Sequence, residues 1–376
     1  MKMKKLLAAG MLGALLLVSG CEPASSQSDF YAMDTFMTVT TYDKNEKTAE
    51  DTRVEIEQHI NGLDQLMSRQ REESELSELN AANGQPVTVS DELYEAIETA
   101  VQYAELTDGA YDPTTAPLSD LWGIGTNHEH VPTQAEIDET LKKVGWRNIQ
   151  LLGNNTVQLL NGAQVDLGGI GKGWAANDAA AICRMAGDTM QALAQLGGNI
   201  YGIGQNPNSE DGTWRIGIAD PDNSASSVAV ISMTDESVVT SGDYERYFVQ
   251  DGKRYHHIFD PSTGYPTDNG LRSVTVVDTD SAEADALTTG LFVMGLDKGL
   301  EFCAEHDIKA VFITSDKRII PTENVLPQYT FMGEEAGYID ARYIALGRFC
   351  DLCGRAGIGG THHLAFPLSA LGQPDL

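Results

Sequence analysis

Apolar residues recur along this chain at two alternating periods. Ile56, Ile60, Leu63 and Met67 return every three to four positions, the spacing of one helix face. Leu93, Ile97, Val101 and Ala104 repeat that spacing, and Gly109 closes the segment. Thr133 with Glu136 is a capping box that opens a third helix. Between these stripes lie runs with strand-like alternation. Thr35 to Tyr42 is the first; Trp214 to Ala219, Val228 to Met233, Arg254 to Phe259, Ser273 to Val277 and Lys309 to Thr314 follow. Ile149 to Leu160 reads as a hairpin turning at Gly153-Asn154-Asn155. Short strands interleaved with helices predict an α/β (α+β) chain whose stripes form core. No internal repeat, low-complexity tract or clear linker interrupts the pattern. The length, 376 residues, allows one large domain or two small ones.

The run VDLGGIGKGWAAN, Val165 to Asn177, breaks the pattern with chemistry. A short apolar strand (Val165, Leu167) carries Asp166, a turn follows with Gly168, Gly169, Gly171 and Gly173 around Lys172, and an alanine-rich helix then begins. Glycines let a backbone approach a ligand closely, and a helix start welcomes anions. Two readings stand: a phosphate cradle, or a tight strand-to-helix turn with a solvated lysine. The spacing fits neither the P-loop nor the dinucleotide fingerprint.

Two further segments bear on that choice. HHIFDPSTGYP, His256 to Pro266, joins paired histidines, an acid and a turn. AEADALTTG, Ala282 to Gly290, reads as the first turns of a helix, with Asp285, Thr288 and Thr289 at i, i+3 and i+4 on one face. A carboxylate with hydroxyls is a hard-oxygen set suited to magnesium, whereas zinc would want histidine or cysteine. The same residues also satisfy the backbone of an ordinary helix start.

Taken in order, MDTFMTVT near the start, DGAYDPTTAPLSDLWGIG at Asp108 to Gly125, VDLGGIGKG, the GGN at Gly197 to Asn199, TSGDYERYF from Thr240, HHIFDPSTGYP and ADALTTG resemble the ApbE-type FAD:protein FMN transferases. The resemblance runs from about Met33 to about Thr314. It implies a single α/β domain with a T-fold-like core. It also implies an enzyme that takes FAD and magnesium, splits the pyrophosphate, and attaches FMN by a phosphoester to a threonine of a partner protein, releasing AMP. The acceptors implied are subunits of membrane redox complexes.

The resemblance also assigns roles. Met33 matches a methionine that packs on the flavin. Ala110, Tyr111 and Asp112 match a flavin-contacting loop. Asp166, Lys172 and Phe259 match further FAD-binding positions. Gly169, by its carbonyl, and Asp285, Thr288 and Thr289 match metal ligands. His257 matches the histidine of the H-x-x-D-P turn and is the candidate base for the acceptor hydroxyl or an orienter of phosphate. From the residues alone, the favoured reading is a structural histidine holding the Asp260 turn. Gln70 departs from the pattern, standing where relatives often place an aromatic against the flavin; Tyr31 or Phe36 is the ring able to replace it. An FAD pyrophosphatase and a non-catalytic flavin-binding lipoprotein are the alternative readings. The metal-ligand set and Lys172 argue against a mere binder.

The start, MKMKKLLAAGMLGALLLVSGC, reads as a secretory leader over residues 1–20, too short for an ordinary spanning helix. Val18-Ser19-Gly20-Cys21 forms a lipobox, so Cys21 is expected to carry lipid at the cell or outer membrane, facing the periplasm or exterior. Residues 21–30 read as a polar tether and 31–342 as the transferase domain. With 55 acidic against 25 basic residues, the net charge of −30 excludes nucleic acid as a ready partner. Residues 343–376 fit nothing in the resemblance. Their Cys350 and Cys353, followed by His362-His363, leave zinc, a disulfide or an additional tail open. Cys183 and Cys303 are expected as buried small residues of helices.

Overall fold

The computed structural model describes residues 23–342. The leader, Cys21 and the Cys350/Cys353 tail lie outside the described residues.

The first elements are β1 (Ala24–Ala32) and β2 (Thr35–Asp43), an antiparallel hairpin. Its two-residue loop is Met33 and Asp34, both at positive φ (48° and 58°). Positive φ at both positions is the requirement of the hairpin turn that matches strand twist. Most of the expected tether is therefore strand. Its residues are polar because β1 is an edge, where main-chain pairing to β2 supplies the order and side chains stay half in water.

Helix α1 (Glu46–Met67) starts at Asn45, whose side chain accepts from the Lys47 and Thr48 amides, and buries Ile56, Ile60, Leu63 and Met67. Next come α2 (Glu75–Ala81), β3 (Val87–Thr88) and α3 (Asp91–Leu106), which buries Leu93, Ile97 and Ala104. After α4 (Ala116–Trp122), α5 (Gln134–Leu141) opens with the Thr133/Glu136 capping box. The predicted hairpin is β4 (Ile149–Leu151) and β5 (Thr156–Leu159). Then follow α6 (Gly171–Ala186), β6 (Gln191–Leu196), β7 (Asn199–Ile203), β8 (Trp214–Asp220), β9 (Asn223–Met233), β10 (Glu236–Gly242), β11 (Tyr247–Gln250) and β12 (Lys253–His256). The chain continues through β13 (Leu271–Asp278), α7 (Ser281–His306), β14 (Lys309–Thr314), β15 (Arg318–Pro321), β16 (Tyr329–Phe331) and β17 (Ile339–Asp340).

Nine strands form one sheet in the order β1-β2-β6-β7-β10-β13-β14-β15-β17, antiparallel throughout except β15 with β17. Alternation sorts its two faces. On β14, Ala310 and Phe312 pack toward α7, while Val311 and Ile313 pack toward a three-stranded sheet of β16, β9 and β8. Helices α1 and α6 cover the β2-β6-β7 side of the first face. This single mixed α/β domain, helices on one sheet face, is the fold class that the sequence predicts.

Two predicted strands differ. Val165 to Leu167 pairs with no strand. The segment is extended because the Asn80 side chain bonds both the N–H and the C=O of Val165 (2.7 and 2.9 Å), and the Asp166 N–H donates to the Pro113 carbonyl at 2.7 Å. Regular pairing in Arg254–Phe259 stops at His256; Phe259 makes one isolated bridge to Pro266.

Helices α6 and α7 cross in close contact at Gly173. A Cβ there would lie 2.1 Å from the Ser281 carbonyl oxygen. Gly173→Ala is therefore expected to cost about 3 kcal/mol by overpacking, read as a lowered Tm in thermal melts.

Candidate active site

The glycine turn, the first turns of α7 and the loop after β10 converge at Asp285. Its side chain is almost fully buried. The Gly173 N–H, in the first turn of α6, donates to one Asp285 oxygen at 3.0 Å. Lys172 Nζ stands 3.4 Å from both Asp285 oxygens and donates to the Gly168 carbonyl at 2.9 Å. A lysine curled onto its own turn is thus the cation that balances the buried carboxylate.

Hydroxyls complete the group. Thr288 Oγ1 is buried and donates to the Asp285 carbonyl at 2.8 Å, which makes Ser241 the donor in the 2.9 Å Ser241–Thr288 bond. Thr289 is half-buried, and its Oγ1 would lie 3.6 Å from a Cβ placed on Gly169. Tyr111 packs on the same glycine, 3.0 Å from that Cβ position, and its buried hydroxyl has no partner. Burial, with Asp285, Asp166 and Asp112 nearby, pushes the Tyr111 phenol far above its ordinary range, so it stays neutral. A buried carboxylate, converging hydroxyls, a glycine carbonyl and an orphaned phenol fit a hard divalent cation such as magnesium.

The paired histidines divide their work. His256 is buried, accepts the Ile258 N–H at Nδ1 (3.3 Å) and bonds the Thr267 carbonyl from Nε2 (2.7 Å). Both of its nitrogens are used, and its role is structural. His257 uses one: Nδ1 faces the Arg246 carbonyl at 3.3 Å. A carbonyl only accepts, so Nδ1 carries the proton and Nε2 keeps a free lone pair. The residue retains partial surface exposure, but protein crowds the ring; this burial, with the Arg246 and His256 charges, pushes its imidazole down to about 3. His257 is neutral at neutral pH. Its ordinary value is 6.5, so the unfolded chain binds this proton more readily between about 3 and 6.5, and stability rises with pH across that window. His257→Gln is expected to flatten that part of the stability–pH curve relative to the parent, measured by denaturant unfolding.

Arg246 also donates to the Asp34 carbonyl at 3.1 Å, tying the Met33–Asp34 turn to the histidine loop. Met33 holds its positive φ because its N–H donates to Asp64 Oδ1 at 3.0 Å. Tyr31 and Phe36 flank the turn as an edge-to-face pair 5.4 Å apart, both exposed, whereas Gln70 offers no ring.

Asp166 lies at the rim, accepting the Gly168 N–H at 2.8 Å with Arg69 Nε 3.7 Å away. Ala110 is half-buried in the loop leading to Tyr111. At two further matched positions the side chain is engaged within the protein. The Asp112 carboxylate is spent inside the protein, taking the Thr114 N–H and hydroxyl and the Trp146 N–H (2.9 Å); it shapes the loop. The Phe259 ring is buried against Trp122, centroids 6.3 Å apart, and serves a small separate core. Ser241, Arg246, Glu245 and Arg69 were not singled out from sequence. The first three sit in TSGDYERYF, where the string itself was the signal. Arg69 had none, because its placement beside Asp166 is a tertiary fact.

The family model for the ApbE family matches residues 33–312. The chain belongs to the ApbE family. The FAD:protein FMN transferase of Klebsiella pneumoniae (strain 342) is 38% identical over 269 residues, covering 70% of this chain and 82% of that protein. The FAD:protein FMN transferase of Treponema pallidum (strain Nichols) is 36% identical over 295 residues, covering 74% and 79%. Among solved structures, the ApbE protein of Thermotoga maritima superposes with a TM-score of 0.76 at 34% identity, covering 81% of this chain and 99% of that one. The flavin transferase ApbE of Vibrio cholerae gives 0.71 at 30% identity, covering 82% and 100%.

Proposed function

We propose that this chain is an FAD:protein FMN transferase that splits FAD and links FMN through a phosphoester to a threonine hydroxyl of a partner protein, releasing AMP. The observation that carries the reading is the convergence of Asp285, Thr288, Thr289, Gly169 and Lys172 at the start of α6, with the free nitrogen of His257 supplied from a third segment. Relatives named for this activity support it.

Asp285, Thr288, Thr289 and the Gly169 carbonyl would hold magnesium, which when bound neutralises pyrophosphate charge. Lys172 would bind phosphate oxygens, exchanging its contacts with Asp285 and the Gly168 carbonyl for them. Lys172, Arg69 and Arg246 are the cations of the site, but Lys172 and Arg69 already face Asp285 and Asp166, so an anionic substrate would rely on magnesium for the remaining charge. Met33 and the exposed Tyr31–Phe36 pair present apolar surface to the isoalloxazine. Nε2 of His257 accepts the proton of the incoming threonine hydroxyl, and Nδ1, held by the Arg246 carbonyl, keeps the tautomer that this requires.

The anchor proposed at Cys21 places the enzyme at a membrane, in reach of membrane-complex subunits. Strand β1 then works as a spacer: its nine residues extend about 30 Å from Ala24 to the Met33 turn.

The test is incubation with FAD, magnesium and a threonine-bearing acceptor domain, followed by mass measurement of the acceptor. A mass gain equal to FMN as a phosphoester, lost when that threonine is alanine, is expected. Free FMN and AMP with an unmodified acceptor would make the chain a pyrophosphatase. Removal of magnesium by a chelator is expected to stop transfer while far-UV circular dichroism stays unchanged. Cys21→Ser is expected to give a soluble enzyme that still labels the acceptor.

A further inference from the structure

Away from the Asp285 group, three helices bring one imidazole and two carboxylates together. His59 lies on α1, Glu92 in the first turn of α3, and Asp178 on α6 beyond Lys172. His59 Nε2 is 2.9 Å from Asp178 Oδ2 and 3.7 Å from Glu92 Oε1, and one ligand atom from each residue lies within 4.8 Å of the other two. We propose that His59, Glu92 and Asp178 form a second metal site, for a zinc-class divalent cation, that clasps α1, α3 and α6 together.

Ligand chemistry separates this group from the magnesium set. One nitrogen and two oxygens suit zinc, with bonds of about 2.0–2.2 Å, and one ligand atom from each residue already lies within 4.8 Å of the other two. All three side chains are partly exposed, at 36%, 40% and 30%, so positions remain for water and the ion has an entry path. Charge points the same way. Among the described residues, no lysine or arginine pairs with Glu92 or Asp178. Glu55 and Glu95 add negative field around them. A divalent ion would neutralise the pair. The donors come from segments far apart in sequence, so the group is no by-product of helical spacing. Because α6 begins with the glycine turn and Lys172, the clasp would steady the helix that carries the phosphate-binding end of the active site.

The test uses metal-free protein saturated with magnesium and FAD, so that the Asp285 site is filled, and titrates ZnCl2 by calorimetry. The parent and both variants carry Cys350→Ser and Cys353→Ser, which removes the thiols of the tail, and one zinc per chain is expected in that parent. Affinity should fall at least about 30-fold in His59→Ala, and likewise in Glu92→Gln, whose exposed side chain can change without unfolding the helix layer. X-ray absorption should show one nitrogen and two carboxylate oxygens from protein, and zinc should raise the Tm of the parent but of neither variant. Absence of zinc binding, or equal affinity in the parent and Glu92→Gln, would overturn the proposal and leave a protonated His59 as the charge that holds the two acids.

Discussion

Asp285→Asn is expected to abolish FMN transfer in a protein that remains folded. The substitution keeps the shape of the side chain, and its amide oxygen is still able to accept the Gly173 N–H. It removes the buried negative charge that Lys172 faces, and leaves the Thr288 bond to the Asp285 backbone carbonyl in place. A metal ligand contributes several kcal/mol of charge stabilisation in the transition state, so the rate should fall by about 10³-fold or more. Circular dichroism and thermal melting would verify the fold, and acceptor mass in single-turnover assays would give the rate. Activity within tenfold of the parent would remove Asp285 from the metal set. The variant also frees Lys172 of its partner, so FAD binding without magnesium should hold or improve. Loss of transfer together with retained flavin binding is the pattern that separates a catalytic charge from a structural one.

Lys172→Ala and His257→Ala should fail in different ways. Lys172 is a cation already at the phosphate-binding turn, so its loss removes binding that ground state and transition state share, and the FAD dissociation constant rises. In the proposed mechanism, His257 offers a lone pair that matters only as the acceptor hydroxyl loses its proton. Its loss should lower single-turnover transfer by about 10²–10⁴-fold with flavin binding nearly intact. Flavin-fluorescence titration and acceptor labelling separate the two quantities. Because burial holds the free-enzyme imidazole near 3, no acid limb from His257 should appear in kcat/KM between pH 5 and 8. A normal single-turnover rate in His257→Ala would return the residue to the role His256 already fills, that of a histidine holding its own loop.

Much of this molecule was legible before folding was considered. The stripe from Ile56 to Met67, the Thr133 capping box and the Gly153-Asn154-Asn155 hairpin all appear in the structure, because each depends on residues within a few positions of one another. The placing of Asp285, Thr288 and Thr289 on one helix was legible for the same reason, since helical spacing is local. The ordered motifs also carried the family, which the matching model and relatives show.

What sequence alone left undecided has a common cause: it depends on which distant groups compete for the same atoms. Paired histidines look equivalent in a string. Only the placement of the Thr267 carbonyl exhausts His256, and only that of the Arg246 carbonyl leaves His257 half free. Asp112 looks available until Trp146 and Thr114 are found on its carboxylate, and Phe259 until Trp122 closes over its ring. Residues 24–30 look like a tether because polarity along an edge strand resembles polarity in a loop, and β2 alone supplies the difference. His59, Glu92 and Asp178 carry no motif at all; α1, α3 and α6 bring them together. Sequence determined the local elements and the inventory of reactive groups. Tertiary structure decided which of those groups were left unspent, because hydrogen bonding and burial are settled between segments that meet only in the fold.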